Sequence, residues 1–221
     1  MEKEALFRIA SAHKLFSGLD RDAFSRALSL FEGALSHYKK GEEMRAMGMP
    51  FPSFGLVLSG TVQVFSLDMD GESVMMASVG AGESFGESLA YLGTSESPVS
   101  VMAATDVSVL WLSIDNVRRE AARGDGFALS LSERFSAVLA LRALFQNDRI
   151  QILSKPKIRD RVVTFLSQCE RRNGSRTFIV PFDRTALAVY LGVNRAALSR
   201  ELAKMKQEGI IDFFRSSFRL L

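Results

Sequence analysis

The chain has 221 residues, with 28 Lys and Arg against 25 Asp and Glu, two His and one Cys. That length suits two modest domains; the lone Cys169 excludes an internal disulfide and a cysteine-held iron–sulfur cluster, and two histidines are too few for a small-barrel metal enzyme. No apolar run nears the roughly 18 residues of a membrane helix, and the acidic start MEKEALFRIASAHKLF lacks the features of a secretory signal, so a cytoplasmic protein without membrane contact is expected.

From Glu4 to about Leu35 apolar residues recur at helical spacing (Leu6, Ile9, Phe16, then Phe24, Leu28, Phe31), and Asp20 is placed to cap the second helix. Between Tyr38 and Leu112 the pattern changes to short apolar runs punctuated by glycines. Val62-Gln63-Val64 alternates as a half-buried strand does, and Asp70-Gly71 supplies a hairpin turn. Strands at this spacing predict a closed antiparallel β-roll, jelly-roll-like, and hence an α+β chain. Met44, Met47, Met49, Met69, Met75 and Met76, with Phe51, Phe54, Phe65 and Phe85, read as its core packing.

Beyond Gly126 the helical period returns for a long helix ending before Pro156, with an apolar stripe of Leu131, Phe135, Val138, Leu141, Phe145 and Ile152. A helix this apolar packs on the roll alone or also pairs with its twin. We expect the pair, a homodimer with Leu131, Phe135, Val138, Leu141 and Phe145 at the interface. Lys155-Pro156 is the expected hinge. A helix (Ile158 to Arg171), a turn at Asn173-Gly174 and a strand (Thr177 to Val180) follow.

The stretch RTALAVYLGVNRAALSREL then reads as two helices joined by a tight turn. Ala188 is small enough for the helices to touch, Gly192 can take a left-handed turn, Leu198 plugs the second helix onto the first, and Asn194 caps it. With Leu198, Leu202 and Met205 inward, the opposite face carries Arg195, Ala196, Ser199, Arg200 and Lys204, residue types that read base edges and phosphates. Ile210 to Leu221 closes the chain as a hairpin wing, with Arg215-Ser216-Ser217 at its tip suited to phosphate contact. Charge follows this division: 14 Lys and Arg stand against 19 Asp and Glu up to Leu153, but 14 against 6 from Ser154 onward. A basic module beside an acidic remainder is the footprint of a polyanion partner, here double-stranded DNA. The expected domains are residues 1–125 (N-terminal helices and roll), 126–153 (long helix) and 154–221 (winged helix-turn-helix). The expected DNA contacts are Thr185, Asn194, Arg195, Ala196, Ser199, Arg200, Lys204, Arg215 and Ser216.

The segments LFSGLDRDAF, GLVLSGTVQVF, GAGESFGE, YLGVNRAALSREL and KMKQEGII, in this order, resemble the Crp–Fnr superfamily of bacterial transcription regulators. The resemblance implies a cyclic-nucleotide-binding-like roll, a dimerisation helix and a winged helix-turn-helix that controls transcription, with RNA polymerase a candidate partner. It also implies an effector pocket around Phe85, Gly86, Glu87, Ser88, Ser97, Pro98 and Val138. In members that bind cyclic AMP, Phe-Gly-Glu opens a cassette that ends in Arg followed by Ser or Thr. Here Phe85, Gly86 and Glu87 match, but the closing positions read Ser97 and Pro98. Glu87 is then expected to hold nearby backbone amides.

From Ala46 to Val117 there is no Lys or Arg. A buried phosphate wants a bidentate guanidinium, so cyclic AMP is disfavoured as cofactor. A cation-free pocket suits a neutral small-molecule effector, with haem on His37 as another option. Regulators of this family often place Glu where this chain has Ala196, so the half-site read by Arg195, Ser199 and Arg200 is expected to differ. His13, expected in an N-terminal helix, and His37, ahead of the roll, do not make an enzyme site, and no nucleophile elbow, phosphate loop or metal spacing is present.

Overall fold

The computed structural model describes residues 3–180 and 182–221; Met1 and Glu2 of the acidic start lie outside them. Two compact units divide the chain, Met1–Ala140 and Leu141–Leu221. The division falls inside one continuous helix, so each unit holds part of it.

The first unit opens with α1 (Lys3–Ala10) and α2 (Arg21–Leu30). Asp20 accepts from the Ala23 backbone N–H and caps α2, as its placement before a periodic run predicts. The roll follows: β1 (Ala34–Tyr38), β2 (Glu43–Arg45), β3 (Phe54–Ser59), β4 (Thr61–Leu67), β5 (Ser73–Gly80), β6 (Ser84–Phe85), α3 (Glu87–Leu92), β7 (Ser100–Ala103) and β8 (Val107–Leu112). Helix α4 (Asp115–Ala122) leads to α5 (Gly126–Leu153), 28 residues long. The strands form two four-stranded sheets, β1-β8-β3-β6 and β2-β7-β4-β5, and every pairing described is antiparallel.

Strand β3 reads FGLVLS because both of its faces are covered. Phe54, Leu56 and Leu58 pack outward on the helices with Phe31, Leu131 and Phe135, while Val57 faces the interior with Val109, Phe85 and Trp111. Four methionines do not join this interior: Met49, Met69, Met75 and Met76 are exposed, and only Met44 of the methionine set is in the inner cluster. Their spacing carries no information about which face of a two-stranded hairpin meets the core.

The long helix departs from expectation in one respect. Leu131 and Phe135 are buried against the roll of their own chain, with the Phe135 ring 5.1 Å from Phe54 and 5.8 Å from Tyr91. They belong to a core rather than to an interface. The side chains left exposed on α5 include Leu129, Ala140, Ala143, Leu144, Phe145 and Ile150, while Val138 and Leu141 are half-buried.

The second unit continues with α6 (Ile158–Asn173), β9 (Thr177–Ile179), α7 (Arg184–Leu191), α8 (Arg195–Gln207), β10 (Ile211–Phe214) and β11 (Ser217–Leu220), with β10-β11-β9 as a small antiparallel sheet. Its core joins Val162, Phe165, Leu166, Leu187, Leu191, Leu198, Leu202 and Met205 to Ile152 of α5.

Candidate nucleic-acid interface and effector site

Asp183 caps α7 by accepting from the Ala186 N–H, and α7 ends at Gly192 with φ +63°. A Cβ there would also lie 2.9 Å from the end of the Leu153 side chain, which can shift, so the positive φ is what asks for glycine. Arg161 of α6 donates to the Leu191 and Gly192 carbonyls and clamps the turn where the α7 dipole leaves acceptors unpaired. Asn194 then starts α8 by accepting from the Ala196 and Ala197 N–H groups.

Leu198, Leu202 and Met205 are fully buried, so Arg195, Ala196, Ser199, Arg200 and Lys204 all face outward. Among the described residues neither Arg195 nor Arg200 is held in an ion pair, while Lys204 stands 4.0 Å from Glu208. The acids of α8 are occupied elsewhere. Arg159 donates to Glu201 and to Glu208 at 2.6 Å each, tying α6 to α8 and holding the Glu208 carboxyl below the usual carboxylate range. The outer face of α8 is therefore cationic without a competing carboxylate at its N-terminal half.

Two of the expected contact residues already hold partners within the chain. Ser216 donates its hydroxyl to the Phe182 carbonyl at 3.0 Å and is half-buried, which fastens the wing. Asn194 likewise spends its side-chain oxygen on the cap. Arg215 stays at the tip with φ +53°, exposed, and Thr185 is exposed on the first turn of α7. The sequence reading missed two residues here. Arg184 lies 5.0 Å and 5.6 Å over the Phe213 and Phe218 rings and donates to the Arg215 carbonyl, and burial pushes its guanidinium below its ordinary value. It borders a cleft of about 210 Å³ with Asp183, Arg215 and Ser216. Phe214, 74% exposed, projects beside Arg215 at the tip.

In the roll, four of the residues expected to meet an effector, Phe85, Gly86, Glu87 and Ser97, are engaged within the chain. Phe85 stacks edge-on against Trp111 at 5.4 Å. Gly86 has φ +79°, and a Cβ on it would lie 2.2 Å from the Phe51 ring. Glu87 is buried and accepts a hydrogen bond from the Ser84 hydroxyl. Ser84 is itself 3.0 Å from His13 Nε2, and the Leu15 N–H donates to His13 Nδ1. Ser84 has one proton, given to Glu87, so His13 Nε2 is the donor in that contact. His13 lies in the turn after α1, not within a helix, and this chain of bonds joins that turn to the mouth of α3. Ser97 is buried, donating to the Val99 carbonyl at 2.7 Å, while Ser88 and Pro98 are exposed.

The roll is not free of cations. Arg45, one residue before the cation-free stretch, lays its guanidinium 4.1 Å over the Trp111 ring. His37 lies in β1, exposed, with Nδ1 2.8 Å from the Ser108 hydroxyl, which removes the argument for it as an interior axial ligand for haem. It lines an open cleft of about 370 Å³ with Lys39, Glu42 and Asp106. Among the described residues no group of three or more His, Cys, Asp or Glu is disposed to hold a metal ion, and no helix is long and apolar enough to cross a membrane.

An antiparallel roll, a long helix and a winged helix-turn-helix with a cationic outer face define a class of DNA-binding transcription regulators. The family described as the cyclic nucleotide-binding domain matches residues 35–123, and that described as the Crp-like helix-turn-helix domain matches residues 160–221. The chain belongs to the Crp–Fnr family. It is 29% identical over 202 residues to the cyclic AMP receptor protein of Thermus thermophilus, covering 89% of this chain and 87% of that one. It is 24% identical over 188 residues to the transcriptional activator protein FnrA of Stutzerimonas stutzeri, covering 83% and 75%. The crystal structure of the Thermus thermophilus catabolite activator protein superposes with a TM-score of 0.52 at 26% identity, over 94% of this chain and 93% of that one.

Proposed function

We propose that this regulator works as a homodimer in the cytoplasm, each copy placing α8 in a major groove at half-sites one helical turn, about 34 Å, apart. The observation that carries the reading is the pairing state of α8: Arg195 and Arg200 are exposed and outside any ion pair, while Glu201 and Glu208 are drawn off by Arg159. Arg200 is the assigned guanine reader, because a guanidinium fork matches the two acceptors on that base edge. Ala196 offers a methyl group to a thymine. Arg215, Arg184 and Thr185 contact the backbone, and Phe214 packs along it. RNA polymerase is the partner through which the bound dimer would act.

Support for the dimer is the exposed side of α5, where Leu129, Ser136, Ala140, Ala143, Asn147 and Ile150 recur at alternating heptad intervals with Leu144 alongside. The cyclic AMP reading is disfavoured by the same residues that suggested it, since Phe51 fills the space beside Gly86 and Glu87 is bonded to Ser84.

Selection of bound sequences from a random DNA pool, followed by gel shifts at graded salt, tests the function. Wild type should enrich a two-fold-symmetric site, and Arg200→Ala should lose about 1–3 kcal/mol and discrimination at one base pair per half-site. Binding with no sequence preference would reject the reading.

A further inference from the structure

At the edge of the inner cluster of the roll lies a half-buried guanidinium, that of Arg45, with no carboxylate paired to it among the described residues. Strand β2 pairs with β7 through an irregular register, Glu43 opposite Met102 and Arg45 opposite Val101. An extra residue of this kind turns side chains out of alternation. As a result Met44 and Arg45, neighbours in sequence, both reach the inner cluster: Met44 is 5% exposed, and the Arg45 guanidinium covers Trp111. The indole is held in place by its own hydrogen bond, Nε1 to the Tyr38 hydroxyl at 3.1 Å, and by the edges of Phe85 and Phe51.

Arg45 Nε is closed off from solvent and meets no acceptor, and the hydrogen bond the guanidinium makes is a long one, 3.3 Å from Nη1 to the Met44 carbonyl. No carboxylate among the described residues pairs with it. Partly buried guanidinium groups are normally matched by an acid or by several carbonyls, and a buried donor left without an acceptor calls for an explanation. Stacking on Trp111 accounts for the position of the group but not for its unused Nε donor.

We propose that the roll binds a small organic carboxylate, with Arg45 as the group that takes its charge and Trp111 as the floor beneath that contact. The class follows from the charge inventory. No other Lys or Arg occurs between Ala46 and Val117, so a single guanidinium is matched by a single negative charge. The planar fork of arginine fits two carboxylate oxygens. A cyclic nucleotide would also need the ribose contact that Glu87 has given to Ser84. The proposal rests on reading the roll as an effector domain and is independent of the operator.

Trp111 is the chain's sole tryptophan, so its emission reports this site alone. The full-length protein, without DNA, is titrated at fixed ionic strength with acetate, benzoate and indole-3-acetate, each beside its neutral amide; melting temperature is followed in parallel, and carries the indole pair. The expected result is a saturable change with at least one carboxylate and none with its amide. Arg45→Gln should weaken that response about thirty-fold or more, and Arg45→Lys, which keeps the charge but loses the fork, should fall between. Equal responses to acid and amide overturn the proposal even if Arg45→Gln fails to fold. So does an acid response that Arg45→Gln or Arg45→Lys leaves unchanged, or cyclic AMP binding that Arg45→Gln retains in full. A wild type that binds carboxylate but no DNA would instead reject the regulator reading and leave this one standing.

Discussion

Leu144 and Phe135 lie on the same helix, and opposite outcomes are expected from truncating them. Leu144 is 61% exposed in the single chain. Covering that fraction of a leucine against a twin helix is worth about 1–2 kcal/mol. A two-fold axis repeats the contact, so Leu144→Ala should cost the dimer about 2–4 kcal/mol, a rise in dissociation constant of about thirty- to a thousand-fold. Phe135 is 1% exposed and wedged between Phe54 and Tyr91. Phe135→Ala should therefore take about 3–5 kcal/mol from the fold of each chain and leave the affinity of folded chains for one another nearly unchanged. Sedimentation velocity over a dilution series, with melting curves on the same samples, separates the two effects. The reasoning fails if Leu144→Ala stays dimeric at every dilution while folded Phe135→Ala comes apart.

Glu87→Ala removes the buried carboxylate that accepts from the Ser84 hydroxyl, which should cost about 1–3 kcal/mol and lower the melting temperature by several degrees, read by calorimetry; an unchanged melting temperature would show that Glu87 is not structural. Glu208 and Asp212 are held below the usual carboxylate range by Arg159 and Lys206, so the stability they lend is complete above about pH 4.5 and declines as pH falls through their lowered values. The acid limb of the melting curve should flatten in Arg159→Gln, and identical pH profiles would count against this ion-pair network. Burial pushes the Cys169 thiol up, so iodoacetamide should modify it slowly at pH 8 in the folded chain and at an ordinary rate in urea. Equal rates, measured by intact mass, would place the thiol at the surface.

The winged module was legible from residues alone because its determinants are local. Asn194, Gly174 and Gly192 act on backbone groups within a few positions of themselves, as Asp20 does at the start of α2, and the inward set Leu198, Leu202 and Met205 follows from the helical period. The outward-facing residues of α8 follow from the same period by exclusion. Periodicity marks an apolar stripe but not its neighbour, so it could not say that Leu131 and Phe135 meet Phe31 and Phe54 of their own roll while Leu144 stays outside. Nor could it find the contact between Ser84 and His13, 71 positions apart, that continues the bond from Ser84 to Glu87. Arg45 stands one place outside a stretch defined by its lack of cations, and only the irregular pairing of β2 with β7 brings it over Trp111. Caps, turns and helix faces depend on contacts a few residues apart and are written in the chain. Which side chains fill the roll, and which guanidinium comes to lie on its tryptophan, depends on residues brought together from distant positions, and tertiary packing decides it.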